Sequence, residues 1–221
     1  MRFIVMVLAI CILGGCAGGE QKEKKEKITP TASRLSADFS RSVDSIMSEY
    51  QRLTESFVDW DTVTVIREAG ILSPLLNHLP QGEIAVQQQR TAALDIVQAR
   101  NDLNVMQLHN NITDKRHALN SLTEHLFHFL QTVGYDGRKL YLQECPMAFN
   151  DDVPGVWLSE RDTIRNPYMG IHHPLYGKAM VECGQNKSII GQGALPRPDA
   201  NADSEKPNPK KDDNHPEPRK G

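Results

Sequence analysis

The chain has 221 residues, a formal net charge of −3 and 24% charged residues. A balance so close to neutral offers no basic field for nucleic acid, and the sequence holds no glycine-rich phosphate loop or zinc-protease motif. Between two polar ends, residues 35–190 make an ordinary single-domain length, enough to bury a real core.

The chain opens MRFIVMVLAICILGGCAGG, with Arg2 ahead of an apolar run from Phe3 to Leu13. A spanning helix takes about 17–25 apolar residues, so this shorter run, followed by small residues, reads as a secretory signal over 1–15. LGGC at 13–16 has the form of a bacterial lipobox, which predicts Cys16 as the lipidated first residue of the mature protein and discards Cys11. The expected location is the cell envelope, with the lipid as membrane anchor. Ala17 stands where an aspartate is associated with inner-membrane retention, which favours the outer membrane, and the acidic, lysine-rich stretch that follows also suits surface exposure. That stretch, 16–34, lacks apolar periodicity and reads as a disordered tether. The tail, 191–221, is rich in proline and mixed charge and is predicted disordered by composition. His215 within it is not taken as a ligand.

Phe39, Val43, Ile46, Met47, Tyr50, Leu53 and Phe57 recur at spacings of three and four, the stripe of an amphipathic helix. A second helix is predicted from Asp59 or Asp61 through Val63, Ile66, Ala69 and Leu72, to end or kink at Pro74, which lacks a helical donor. Pro80 and Gly82 mark a turn, and a third helix is expected over 83–107. Thr113 is the expected cap of a fourth, with Leu119, Leu122, Leu126, Phe129, Leu130 and Val133 as its stripe and Gly134 past its end. Four such helices with short connections predict a mainly α fold. It is an antiparallel helical bundle over 36–134, followed by a small irregular C-terminal part with short strands over 135–190. His125 and His128 are helical neighbours, but with no carboxylates in the local pattern they read as polar surface, as do His109 and His117. Met47 and Met106 read as core.

After Gly134, short strands are expected near 139–144 and 156–158. In QECPMAFNDDVPGVW, Cys145 and Met147 are two residues apart, and an extended backbone would turn both sulfurs to one side. Pro146 stiffens the chain between them. In KAMVECG, Met180 precedes Cys183 by three, which one helical turn would place on a shared face. Met169, His172 and His173 lie between the two pairs as further candidate ligands. Thiolate, thioether and imidazole form a soft to borderline donor set that favours Cu(I), with zinc as the alternative where histidines join. A Cys145–Cys183 disulfide in an exported domain needs no metal and would stabilise the fold by about 3–4 kcal/mol in the chain-entropy model. Residue chemistry leaves disulfide and metal site level. Asp151, Asp152 and the histidines have no spacing that ties them to a nucleophile, so no enzyme is expected.

CPMAF, GVWLSERDTIRNPYMG and MVECG together resemble the signature of the domain of unknown function 3347 family. The matching positions run from Cys145, Pro146, Met147 and Ala148 through Trp157, Leu158 and Ser159 to Asn166, Pro167, Tyr168 and Gly170, then Met180, Cys183 and Gly184. The resemblance covers about residues 37–185; its motif half is specific, and its helical half matches in pattern alone. Shorter versions of the family have few residues where IHHPLYGKA intervenes here. The family occurs as small bacterial lipoproteins and is similar to a domain appended to periplasmic adaptor subunits of heavy-metal efflux pumps. The resemblance therefore implies copper or related metal handling, with a metal-efflux or metal-carrier protein as partner. Trp157, Asn166, Pro167 and Tyr168 read as scaffold, because nothing in them supplies ordinary metal ligands. The expectation is a lipid-anchored domain holding a soft ion through Cys145, Met147, Met180 and Cys183 for buffering or transfer. The alternative is a protein-interaction lipoprotein stapled by the disulfide.

Overall fold

The computed structural model describes residues 35–149 and 153–191. The predicted signal segment, Cys16, the tether, Asp151, Asp152 and the tail from residue 192 with His215 lie outside the described residues. Four helices, α1 (Ala37–Val58), α2 (Thr62–Asn77), α3 (Val86–Leu108) and α4 (Ile112–Val133), come first. Three strands follow, β1 (Leu140–Cys145), β2 (Gly155–Ser159) and β3 (Gln185–Ile190). The fold is mainly α, a bundle followed by a small antiparallel sheet, as the periodicity predicts. No helix among the described residues is long and apolar enough to cross a membrane.

Side-chain caps start three of the helices. Ser36 Oγ accepts the Phe39 N–H, Asp61 accepts from Val63 and Thr64, and Asn111 Oδ1 accepts the Asp114 N–H. Asn111 rather than Thr113 therefore caps α4, because Asn111 is the last extended residue and Thr113 already lies in the first turn. Pro74 does not end α2, which continues to Asn77. It falls in the last turn, where its missing donor removes only one helical bond. The start expected near residue 83 is a short 3-10 turn, Gln81–Glu83, and α3 begins at Val86.

Tyr50, Leu53 and Phe57 of α1, Leu72 and Leu76 of α2, Leu103 and Met106 of α3, and Leu119, Leu122 and Leu126 of α4 fill the core. Each such buried side chain contributes about 1.5–3 kcal/mol. α3 and α4 run antiparallel, with Asp95 meeting His128 and Asp102 meeting His125. Lys115 is buried and its ammonium donates to Met106 O, one of the α3 carbonyls that has no helical partner.

Two helix ends close with the same double bond pattern. At α4, Gly134 N–H reaches Gln131 O and Tyr135 N–H reaches Leu130 O, with Gly134 at φ 67°. At α1, Trp60 N–H reaches Phe57 O and Asp61 N–H reaches Ser56 O, with Trp60 at φ 62°. A left-handed conformation costs a residue with a side chain about 1–2 kcal/mol, so Trp60 is held there by what its ring touches.

The sheet order is β2-β1-β3, antiparallel throughout. Tyr50 joins it to the bundle: its hydroxyl lies 2.6 Å from Thr123 Oγ1 and accepts the Leu158 N–H at 3.2 Å. Burial pushes this phenol up to about 12. β1 and β2 match the predicted strands within a residue or two. β3 has no counterpart in the prediction, since QNKSII is largely exposed and carries no alternating apolar signal. Its pairing with β1 makes it a strand.

Candidate metal centre

Cys145 ends the central strand, and Cys183 lies two residues before β3 begins. Glu144 pairs with Gln185, so the antiparallel course carries Gly184 and Cys183 past the end of β1. The two Sγ atoms, 38 residues apart in sequence, stand 3.9 Å apart. Both are free thiols, Cys145 buried and Cys183 half-buried. Gly184 permits the approach. Its φ is 148°, and a Cβ there would come within 2.8 Å of Glu144 O and 3.0 Å of the Trp157 ring. Burial raises the Cys183 thiol above its ordinary pKa, and Cys145 beside it adds to the shift.

Asn166 holds the Cys183 backbone. Its Nδ2 donates to Cys183 O at 2.6 Å, and its own N–H donates to Val181 O at 2.8 Å. Its Oδ1 accepts the Tyr168 and Met169 N–H groups at 2.8 and 3.1 Å. Asn166, Tyr168 and Met169 are buried, so the Asn-Pro turn read as scaffold is what sets one cysteine in place. Cys183 N–H also donates to Met180 O at 3.0 Å, closing M-x-x-C as one tight turn after the 3-10 helix Gly177–Met180.

The other pair differs from expectation. Pro146 and Met147 form a turn directly after β1, so the same-side geometry of an extended C-x-M does not apply. Met147 and Met180 are each partly buried and packed on the core. Met169 is buried within the core, and His172 is exposed. His173 Nδ1 accepts the Leu175 and Tyr176 N–H groups at 3.2 and 3.4 Å, which leaves the proton of the neutral ring on Nε2. Burial, with the Arg116 charge, lowers its pKa. Among the described residues, no three His, Cys, Asp or Glu side chains form a metal-sized group. Of the four expected sulfur donors, the fold thus brings together Cys145 and Cys183, while Met147 and Met180 lie on the turns next to them.

Arg116 had no place in the sequence reading. It is 8% exposed, and its Nη2 donates to Ala148 O at 2.7 Å inside the CPMAF segment. Its guanidinium lies 5.4 Å from the Trp60 ring, 5.7 Å from Phe149 and 5.9 Å from Tyr168. A signal was present, since Arg116 sits three residues before Leu119 on the apolar stripe of α4. His125 and His128 do find carboxylates, Asp102 at 2.8 Å and Asp95 at 2.8–2.9 Å, but on α3, where the pattern of their own helix could not show them.

Compared with known protein families, curated proteins and solved structures, the chain matches none.

Proposed function

We propose that this domain holds a soft metal ion, Cu(I) in the first place and zinc in the second, between Cys145 and Cys183, with Met147 and Met180 as flanking thioethers. In this reading it sits in the cell envelope, anchored through Cys16, and buffers the ion or passes it by ligand exchange to an efflux or carrier protein. The observation that carries the reading is the 3.9 Å approach of two free thiols from opposite ends of the sulfur motif. Two thiolates sharing an ion through bonds of about 2.3 Å stand about 3.8 Å apart at a tetrahedral angle and about 4.6 Å apart when collinear, and the observed separation fits that span. The resemblance to the domain of unknown function 3347 family points the same way. When bound, the ion supplies no reaction, only a labile soft centre; the chain supplies the donors, one buried and one half-buried.

The same approach supports the second reading, an oxidised Cys145–Cys183 staple. Titration of reduced protein against a competing Cu(I) chelator separates the two. Cys145→Ser and Cys183→Ser should each abolish competition, while Met147→Leu and Met180→Leu keep the apolar bulk and weaken it. A reduced native chain that competes no better than the double-serine variant overturns the metal reading and leaves the staple.

A further inference from the structure

The CPMAF turn is packed over a buried cation. Arg116 reaches it from the second turn of α4 and donates to Ala148 O, three residues after Cys145. Cys145 pairs across the sheet with Gly155, and a Cβ on Gly155 would come within 2.6 Å of Ala148 Cβ and 2.8 Å of the Tyr168 ring. The thiol, the turn, the Tyr168 ring and the guanidinium thus form one contiguous cluster.

Among the described residues the cation has little to balance it. No carboxylate among the described residues pairs with Arg116, and its Nε is buried without a hydrogen-bond partner there. Aromatic faces replace water around it, and one of them, Trp60, is held in the left-handed conformation that Gly134 takes at the other such helix end. A buried, uncompensated charge is costly. Strain kept beside it points to a role for the charge.

We propose that Arg116 is a specificity-determining residue, whose buried positive charge balances a monovalent ion held by the Cys145 and Cys183 thiolates and disfavours a divalent one. This rests on the metal reading above. Binding releases two protons to solvent. Two thiolates with a monovalent ion carry a net charge of −1, which Arg116 neutralises; two thiolates with a divalent ion are neutral, and the pocket is left with +1. In a poorly solvated site the first arrangement is favoured.

Reduced native protein is titrated with Ag(I) as the monovalent probe and Cd(II) as the divalent one, each against a competing chelator. The native chain should prefer Ag(I), and Arg116→Gln should narrow that preference by about 10- to 100-fold, the range for residues that support metal ligands. Arg116→Lys, which restores the charge but not the fork, should recover most of it. An unchanged ratio in Arg116→Gln overturns the proposal, as does equal loss of both ions. If that variant fails to fold, the native chain still decides: Cd(II) bound as tightly as Ag(I) overturns it. In the double variant Asp151→Asn, Asp152→Asn, the preference should be unchanged. A gain there means that loop carboxylates already balance Arg116, and the proposal falls. If neither ion binds the native chain, the metal reading itself fails, which is a different result from binding without discrimination.

Discussion

Glu49 on α1 and Glu68 on α2 are both buried and face each other, with Arg52 bonded to the first and Arg67 to the second. Glu49 Oε1 is buried without a donor among the described residues, so it can bond Glu68 only when one of the two carboxyls carries a proton. Burial first, then the bond to Glu68, raises Glu49 above its usual 4.5, while the bond to Glu49 and then Arg67 lower Glu68. The stabilising contribution of Glu49 is full below 4.5 and is lost as pH rises through its raised pKa; that of Glu68 is present above 4.5 and lost as pH falls through its lowered one. Glu49→Gln keeps a donor toward Glu68 with no proton to lose. Its urea midpoint should therefore exceed that of the native chain near pH 7 and converge with it near pH 4; equal midpoints at both values would show that Glu49 ionises without penalty. Asn166 acts on a smaller scale of atoms and a larger scale of energy. Asn166→Ala strands Cys183 O and two buried N–H groups, and each orphaned buried group costs about 1–3 kcal/mol. A loss of at least ~2 kcal/mol in unfolding free energy is expected; an Asn166→Ala variant of native stability would show that the clamp is dispensable.

At the level of elements, the predicted stripe of α4 is buried along its length, and Leu126 is 1% exposed within it. Leu126→Ala should cost about 2–5 kcal/mol by denaturant unfolding, the range for a truncated core leucine. The approach of β3 to β1 depends on a position with no such periodicity. Gly184→Ala places a methyl group against Glu144 O at a φ that favours glycine, a strain of about 1–3 kcal/mol. The entry to β3 should shift and Cys145 and Cys183 should separate. Mild oxidation, followed by non-reducing mass analysis, should then yield less intramolecular disulfide than in the native chain. An equal yield would mean that the sulfurs meet without that close passage.

For the whole molecule, the proposed anchor and the proposed metal site lie far apart in sequence, at Cys16 and at Cys145 with Cys183. The bundle and sheet supply a folded unit, and the proposed anchor is a single residue outside the described structure. Cys16→Ser should move the protein from the membrane fraction to the soluble fraction and abolish lipid labelling; labelling that persists would remove the lipobox from the account. The oxidised form of the domain should unfold about 3–4 kcal/mol less readily than the reduced form if the disulfide constrains the loop between Cys145 and Cys183. In the proposed reading only the reduced form takes a metal, so redox state would set which property is expressed.

The amino-acid order alone marked four helices, most firmly α1 and α4, because a stripe repeated every three or four residues has one low-energy way to be buried; in α2 the predicted stripe was partly wrong, since Val63 and Ile66 are exposed and Val65, Ala69, Leu72 and Leu76 are buried. It also determined β1 and β2, and it singled out Cys145 and Cys183 among four cysteines. It did not determine that Asn111 caps α4, that α2 runs through Pro74, or that QNKSII is a strand, since those follow from local backbone conformation and from pairing with a distant segment. The 3.9 Å meeting of the sulfurs likewise arises only when β3 is laid beside β1 and Gly184 lets the backbones close. Arg116 is the clearest division. Its spacing on α4 marks it as facing inward, but its aromatic enclosure comes from the α1–α2 turn, the CPMAF segment and the NPYMG turn, which only the tertiary fold brings together.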